Sequence, residues 1–189
     1  MADWQSDGWL NDVERLPSPN FGERPTGEQI SLIVMHNISL PPDEFGADWV
    51  EKFFLNQLDP DAHPYFATIV EARVSAHFYI RRDGRVIQFV GCDQRAWHAG
   101  RSQWCGREHC NDYSVGIELE GSDRQRFTSA QYVALWRVID ALCVRYPIAA
   151  IAGHSDIAPG RKTDPGPGFD WLAVRARYPD VSLPGEVTT

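Results

Sequence analysis

Residues 153–166 hold the side chains whose types and spacing most directly indicate chemistry. They include His154, Lys162 and Asp164, on a loop rich in glycine and proline that follows a short apolar run. An imidazole and a carboxylate can bind a metal ion, and a nearby ammonium group can stabilise a developing negative charge. This combination indicates hydrolysis more than packing.

A third metal ligand is expected at His36. It directly follows the apolar run of residues 30–35, which predicts a buried strand whose last residue emerges at a sheet edge. Two imidazoles and one carboxylate, from His36, His154 and Asp164, suit Zn²⁺ with one coordination position left open, as catalysis requires. The alternative is that each is an ordinary polar residue on a loop.

Glu118 is the candidate for proton transfer. The segment 114–120 alternates, with Glu118 and Glu120 on one face and apolar side chains on the other. The two carboxylates stand about 7 Å apart, so only one reaches a single centre. Amide cleavage needs a proton on the leaving nitrogen, which Glu118 can supply, and Lys162 can stabilise the oxyanion. The alternatives are that Glu118 is a solvated carboxylate on a strand and that Lys162 is an ordinary surface charge.

The elements that must position these residues alternate between strands and helices. Further strands are predicted at 76–81, 85–90 and 148–152, the first two joined by a hairpin turn at Asp83 and Gly84. Helices are predicted at 47–58, from a Thr128 cap to Pro147, and around 170–177. The fold class is therefore α/β, a single domain with a central mixed β-sheet flanked by helices.

The chain length predicts one domain with a short segment at each end. The 189 residues, 43% of them hydrophobic, suffice for one core and are too few for two ordinary domains. Residues 1–29 are predicted as an extended lead-in over the surface, 30–180 as the domain and 181–189 as a C-terminal tail.

Composition excludes several classes of partner. The net charge of −8 argues against nucleic acid, and no apolar run approaches the length of about 20 residues that a membrane helix needs. No export signal is visible, and we interpret the four cysteines as reduced thiols, so a cytoplasmic location is expected. Cys105, His109 and Cys110 offer three ligands for a second metal ion, an alternative that is disfavoured because a structural zinc site normally needs a fourth ligand and paired spacing.

Several motifs together give the chain a specific resemblance. It resembles the AmpD-type 1,6-anhydro-N-acetylmuramyl-L-alanine amidases, which are zinc amidases related to phage amidases and peptidoglycan recognition proteins. The motifs are VMHNIS at 34–39, HPYF at 63–66, RVSAH at 73–77, RAWHAG at 95–100, CNDYS at 110–114, GIELEG at 116–121 and the loop 154–166. The resemblance covers most of the chain and implies the peptidoglycan-recognition type of fold, with residues 30–180 as the amidase domain.

The resemblance implies the same site that the residues indicate. His36, His154 and Asp164 take the zinc-ligand positions, Glu118 the acid/base position and Lys162 that of the cation beside the reacting carbonyl. It also implies a groove for the muramyl sugar and stem peptide, lined by Asn37, Tyr65, Arg73 and Trp97. His109 stands where relatives commonly place an arginine, so a substrate contact there is expected to be weaker or pH-dependent.

The function expected from the resemblance is hydrolysis of the amide bond between 1,6-anhydro-N-acetylmuramic acid and L-alanine in cell-wall recycling. The partner is then an anhydro-muropeptide substrate, with no obligate protein partner evident. In bacteria with inducible β-lactamase, loss of the activity would raise β-lactamase expression. Two alternatives remain, a wall-lytic amidase acting on polymeric peptidoglycan and a non-catalytic muropeptide-binding protein.

Overall fold

A six-stranded mixed sheet forms the centre of the molecule, which a computed structural model describes over residues 4–186. The described residues form ten strands, six of them in this sheet. The ten are β1 (Glu14–Arg15), β2 (Phe21–Gly22), β3 (Leu32–Ile38), β4 (Phe78–Ile80), β5 (Val86–Gln88), β6 (Arg95–Ala96), β7 (Gln103–Trp104), β8 (Arg107–Glu108), β9 (Ser114–Glu120) and β10 (Ala150–Gly153). β2 pairs with β6, and β7 with β8, in two separate two-stranded sheets. The order across the main sheet is β1-β5-β4-β9-β3-β10. The pairs β4–β9, β9–β3 and β3–β10 are parallel, and β4–β5 is antiparallel.

Helices and loops cover both faces of this sheet. The helices are α1 (Trp49–Phe54), α2 (Pro64–Ala67), α3 (Ser129–Arg145), α4 (His154–Ile157) and α5 (Trp171–Arg177). Apolar residues of α3 and α5 pack on one face, against side chains such as Ile33 and Ile117. The other face is covered by α1 and α2 on one side and by the loop 96–113 on the other. The expected α/β architecture is confirmed.

The long helix α3 begins and ends where the sequence predicts. Thr128 accepts a hydrogen bond from the backbone N–H of Gln131, whose side chain accepts one from the backbone N–H of Thr128. This capping box satisfies two amide groups that the first turn leaves without helical partners. The helix ends at Arg145, since Pro147 cannot continue it.

The hairpin prediction is confirmed as well, with shorter strands. β4 and β5 pair antiparallel around Asp83 and Gly84, and Gly84 adopts a φ of +87°. A methyl group at Gly84 would also lie 2.8 Å from the carbonyl oxygen of Ala130, the first turn of α3. Glycine is therefore required there by both the turn and the helix behind it.

Three predicted boundaries differ from the structure. Helix α1 ends at Phe54 rather than near residue 58, because Asn56 takes the left-handed conformation, with a φ of +58°. Residues 64–67, which lie outside the predicted helices, form one helical turn with His63 as its cap. His36 lies inside β3, two residues before its end.

The predicted lead-in does more than cover the surface. Its β1 pairs parallel with β5 at the edge of the main sheet, and Leu10 and Asn20 are buried. Ser182, in the predicted tail, bridges to Ala150 of β10. Residues 1–3 of the lead-in and 187–189 of the tail lie outside the described residues.

Two further features concern the cysteines and membrane association. The four cysteines, all within the described residues, are unpaired. No helix in residues 4–186 has the length and apolar character needed to cross a membrane.

Candidate metal centre and substrate cleft

Three parallel strands bring the candidate residues to one edge of the sheet. In the register of β3 and β9, His36 lies opposite Glu118, and Met35 lies opposite Gly153 of β10. His154 follows Gly153, so Glu118, His36 and His154 stand side by side across three strands. The carboxyl ends of parallel strands are the usual position of ligand sites in such sheets.

The three predicted metal ligands converge. The Nδ1 atoms of His36 and His154 are 3.0 Å apart, and Asp164 Oδ2 lies 3.0 Å from the first and 3.1 Å from the second. Ligand atoms of a tetrahedral zinc ion, each about 2.0–2.1 Å from the metal, are separated by about 3.3 Å. Within residues 4–186 this is the one such group of histidine, cysteine and acidic side chains.

The other ring nitrogens of the two histidines have partners that set the tautomers. His154 Nε2 lies 3.1 Å from the carbonyl oxygen of Ala99, which only accepts hydrogen bonds, so Nε2 carries the hydrogen. His36 Nε2 lies 3.0 Å from His98 Nδ1. Both Nδ1 atoms are then free to direct lone pairs at a shared point beside Asp164. Three converging acceptors fit a bound cation.

Burial and charge maintain the protonation states that metal binding requires. Burial lowers the pKa of His36 to about 4, so its imidazole is neutral near pH 7. Burial alone would raise the pKa of Asp164, but contacts with His154 and His36 outweigh it and bring the pKa below its ordinary value. Asp164 is positioned by its own backbone, whose carbonyl accepts a hydrogen bond from the Ser155 N–H.

Glu118 occupies a different environment from the solvated carboxylate considered above. It is only 8% exposed, and its Oε2 atom is buried with no hydrogen-bond partner among the described residues. Burial raises its pKa well above the ordinary value, the charge of Asp164 adds to this, and Lys162 opposes it. A carboxyl group whose pKa is raised by burial beside a metal site suits acid–base catalysis.

Glu120, the other carboxylate of β9, has a structural role. Glu120 is buried and accepts hydrogen bonds from the backbone N–H groups of Gly46, at 2.5 Å, and Arg82, at 2.8 Å. It therefore holds the segments that contain these residues against the end of β9. The expectation that one carboxylate faces the reaction centre agrees with this arrangement.

An open cleft of about 550 Å³ lies over the metal cluster. His154, Asp164, Glu118 and Lys162 line it, together with the predicted substrate residues Asn37, Tyr65 and Trp97. Arg73 does not line this cleft, and its exposed guanidinium donates hydrogen bonds to the carbonyl oxygens of Val70 and Ala72. Lys162 forms no ion pair within residues 4–186, which leaves its ammonium group available to a ligand.

Sequence reasoning assigned no role to several residues at the site. His98 contacts His36, Arg161 donates to the Ala99 carbonyl oxygen, and Asp123 accepts a hydrogen bond from the Asn37 amide at 2.8 Å. His98 belongs to the RAWHAG motif, so the motif marked its segment. Nothing local to the sequence indicates which side chain of that motif faces the metal cluster.

Comparisons with known proteins agree with this geometry. Residues 26–167 match the family described as N-acetylmuramoyl-L-alanine amidase. The 1,6-anhydro-N-acetylmuramyl-L-alanine amidase AmpD of Citrobacter freundii is 56% identical over 172 residues, which span 90% of this chain and 92% of AmpD.

Solved structures give the same result. A crystal structure of a selenomethionine derivative of AmpD superposes with a TM-score of 0.89 at 54% identity, covering 95% of this chain and all of that one. AmiD from Escherichia coli, solved with anhydro-N-acetylmuramic acid-L-Ala-D-γ-Glu-L-Lys as substrate, has a TM-score of 0.59 at 28% identity, covering 95% of this chain and 66% of AmiD. The chain thus belongs to the N-acetylmuramoyl-L-alanine amidase family.

Proposed function

We propose that this protein is a zinc-dependent amidase that cleaves the bond between 1,6-anhydro-N-acetylmuramic acid and the L-alanine of the stem peptide. The observation that carries the proposal is the convergence of three ligand atoms, His36 Nδ1, His154 Nδ1 and Asp164 Oδ2, which lie 3.0–3.1 Å from one another. Glu118 and Lys162 line the cleft at this cluster. Such a site combines a metal ion, a proton carrier and a cation around one reacting bond.

Zinc is the metal that the donor set favours. His36, His154 and Asp164 would hold it through two nitrogens and one oxygen, a set found in catalytic zinc sites. Bound zinc would polarise the substrate carbonyl and lower the pKa of a water molecule to about 7.

Glu118 would move the proton. Its carboxylate accepts a proton from the attacking water and then donates it to the amide nitrogen as that nitrogen leaves. The raised pKa supports this role, because it makes the carboxylate a stronger proton acceptor than an ordinary glutamate, and the proton it takes can then pass to the leaving nitrogen. Its position opposite His36 in the strand register keeps it beside the metal cluster.

Lys162 would stabilise the reacting carbonyl oxygen. Its ammonium group lines the same cleft, and a fixed positive charge there favours the tetrahedral intermediate over the planar amide. We further propose that Asn37, Tyr65 and Trp97 contact the sugar and peptide, with the Trp97 ring suited to a sugar face. Arg73, next in sequence to the cleft residue Val74, is proposed as a carboxylate-binding residue.

The choice of substrate rests on the relatives. The name of the Citrobacter freundii relative specifies the 1,6-anhydro-muramyl substrate, and AmiD was solved with an anhydro-muropeptide. Because such a compound is a wall fragment rather than the polymer, we extend the proposal to cell-wall recycling in the cytoplasm.

A two-substrate assay tests the proposal. The zinc-loaded protein is incubated with purified anhydro-muropeptide or with intact sacculi, beside a chelated sample and the Asp164→Asn variant. Release of stem peptide from the fragment by the zinc-loaded wild type alone is expected. Faster release from sacculi would favour the wall-lytic alternative, and binding without release would favour the non-catalytic one.

A further inference from the structure

His98 lies in a chain of hydrogen bonds that starts at a metal-binding histidine. Its Nδ1 is 3.0 Å from His36 Nε2, and its own Nε2 is 3.2 Å from Ser114 Oγ. The Ser114 hydroxyl donates to the carbonyl oxygen of Cys110 at 2.5 Å. His36, His98 and Ser114 are all buried, so each of these polar atoms depends on the others for a partner.

The direction of the chain follows from its buried end. A carbonyl oxygen only accepts, so the Ser114 hydroxyl donates its one hydrogen to the Cys110 carbonyl oxygen. The hydroxyl oxygen must then accept a hydrogen bond from His98 Nε2–H. His98 Nδ1 is then an acceptor, and His36 Nε2–H donates to it. The Nδ1 lone pair of His36 is therefore directed at the metal cluster, which is the tautomer that a metal ligand needs.

The same short segment orients the other histidine through its backbone. The carbonyl oxygen of Ala99, next to His98, accepts from His154 Nε2. One side chain holds both residues, since Asn111 Oδ1 accepts from the backbone N–H groups of His98, at 3.2 Å, and Ala99, at 2.8 Å. Asn111 contacts neither metal-binding histidine itself.

The strand beneath is shaped to admit the His98 ring. A methyl group at Gly116 would lie 2.6 Å from His98 Nδ1 and 2.7 Å from Cδ2. No larger residue at position 116 leaves the ring in this place without displacement. Gly116 stands between Ser114 and Glu118 on the same face of β9, so space for His98 is built into the strand that carries Glu118.

We propose that His98 and Asn111 are positioning residues, which together fix the tautomer and orientation of both metal-binding histidines. This inference rests on the proposed zinc site. Hydrogen-bond partners of this kind typically change metal affinity about 10–100-fold when they are removed.

Zinc affinity, measured by competition with a chromophoric chelator, tests the proposal without any substrate. His98→Phe retains a ring but loses both nitrogens, and we expect it to bind zinc about 10–100-fold more weakly than the wild type. His98→Asn retains an acceptor near the position of Nδ1, and its loss should be less than about 10-fold. Asn111→Ala should also weaken binding, although it alters no imidazole.

His77→Phe is the matched control. His77 is buried beside His98, with ring centroids 5.7 Å apart. Its nitrogens contact the backbone of Gly116 and Gln94 and the Arg24 guanidinium, but no metal ligand. We expect both His77→Phe and His98→Phe to lower the free energy of unfolding. The zinc affinity of His77→Phe should stay at the wild-type value. Urea unfolding of the metal-free variants provides that comparison. The visible absorption of the cobalt-loaded form should change for His98→Phe and not for His77→Phe.

Wild-type zinc affinity in both His98→Phe and Asn111→Ala would overturn the inference. Equal weakening in His77→Phe would also overturn it, because the effect would then be general loss of packing. Failure of the wild type to bind zinc would instead remove the proposed metal site. A protein that binds zinc with the expected series of affinities yet cleaves no muropeptide would leave this inference standing and refute the proposed function. If His98→Phe does not fold, Asn111→Ala decides.

Discussion

At the scale of single residues, Glu118 combines a cost to stability with a suitability for catalysis. A buried carboxyl group with one oxygen that lacks a hydrogen-bond partner is unfavourable for folding, and the same burial raises the pKa of Glu118 well above its ordinary value. Proteins tolerate such groups where activity depends on them. Glu118 therefore allows activity and stability to be separated by one substitution.

Glu118→Gln should abolish most of the activity without loss of zinc. The amide matches the carboxyl in shape but cannot transfer a proton, so kcat should fall about 10²–10⁴-fold. Zinc content, measured by atomic absorption, should equal that of the wild type. Glu108→Gln, at an exposed position, is the control and should retain full activity. Near-normal turnover of Glu118→Gln would refute the proton-transfer role.

The same substitution should change how stability depends on pH. With a raised native pKa, the folded protein keeps the Glu118 proton at pH values where the unfolded chain has lost it. The free energy of unfolding of the wild type therefore falls as the pH rises from about 4.5 through the native pKa. The free energy of unfolding of Glu118→Gln should not fall in this way as the pH rises. At pH 8 the variant should be more stable than the wild type, by on the order of 1 kcal/mol.

Urea unfolding of both metal-free proteins at pH 5 and pH 8 measures this difference. The gain should be larger at pH 8 than at pH 5. An equal difference at both values would show that Glu118 titrates normally in the folded protein.

At the scale of elements, the two most accurately predicted segments carry complete local signals. β9 has the predicted bounds, 114–120, although side chains on both of its faces are buried, and α3 has a capping box at its start and a proline after its end. Helix α1 has the helical spacing but lacks a side-chain cap, and its end is set by the left-handed Asn56. Local sequence predicts an element well where its termini are marked by side chains.

Thr128→Ala tests the cap of α3. The hydroxyl accepts from Gln131 N–H and donates to the carbonyl oxygen of Arg82, so it joins the helix to the β4–β5 hairpin. Its removal should lower the free energy of unfolding by about 1–2 kcal/mol, measured by urea denaturation. Thr128→Ser keeps both hydrogen bonds and should remain within about 0.5 kcal/mol of the wild type. Equal effects of the two changes would exclude the cap as the cause.

At the scale of the whole molecule, the metal cluster joins distant parts of the chain. His36 comes from β3, His154 from the start of α4 and Asp164 from the loop beyond it. The unfolded chain does not hold these three groups together, so a metal ion should bind the folded protein preferentially. Metal binding and folding are then coupled.

Zinc should therefore stabilise the protein in proportion to its occupancy. At a free zinc concentration 100 times its Kd, the free energy of unfolding should rise by about 2.7 kcal/mol over the chelated protein. Thermal or urea unfolding with buffered zinc measures the gain. Asp164→Asn, which loses one ligand, should lose most of it. A gain that is unchanged in this variant would place the bound zinc elsewhere.

What the sequence by itself determined was the identity of the chemical groups and the class of fold. His36 and His154 follow apolar runs, Asp164 lies on the glycine- and proline-rich loop after His154, and Glu118 lies on an alternating strand. These are properties of neighbouring residues. The α/β class followed in the same way from local periodicity.

Only the tertiary structure decided how these groups meet. The register between β3 and β9 sets Glu118 opposite His36, the covering of both sheet faces buries Glu118, and the loop 96–113 places His98 behind His36. Register and burial result from contacts between residues far apart in the chain, so local patterns do not specify them. The side chains were evident from the sequence, whereas the environments that give them their chemistry depend on the packing of the whole chain.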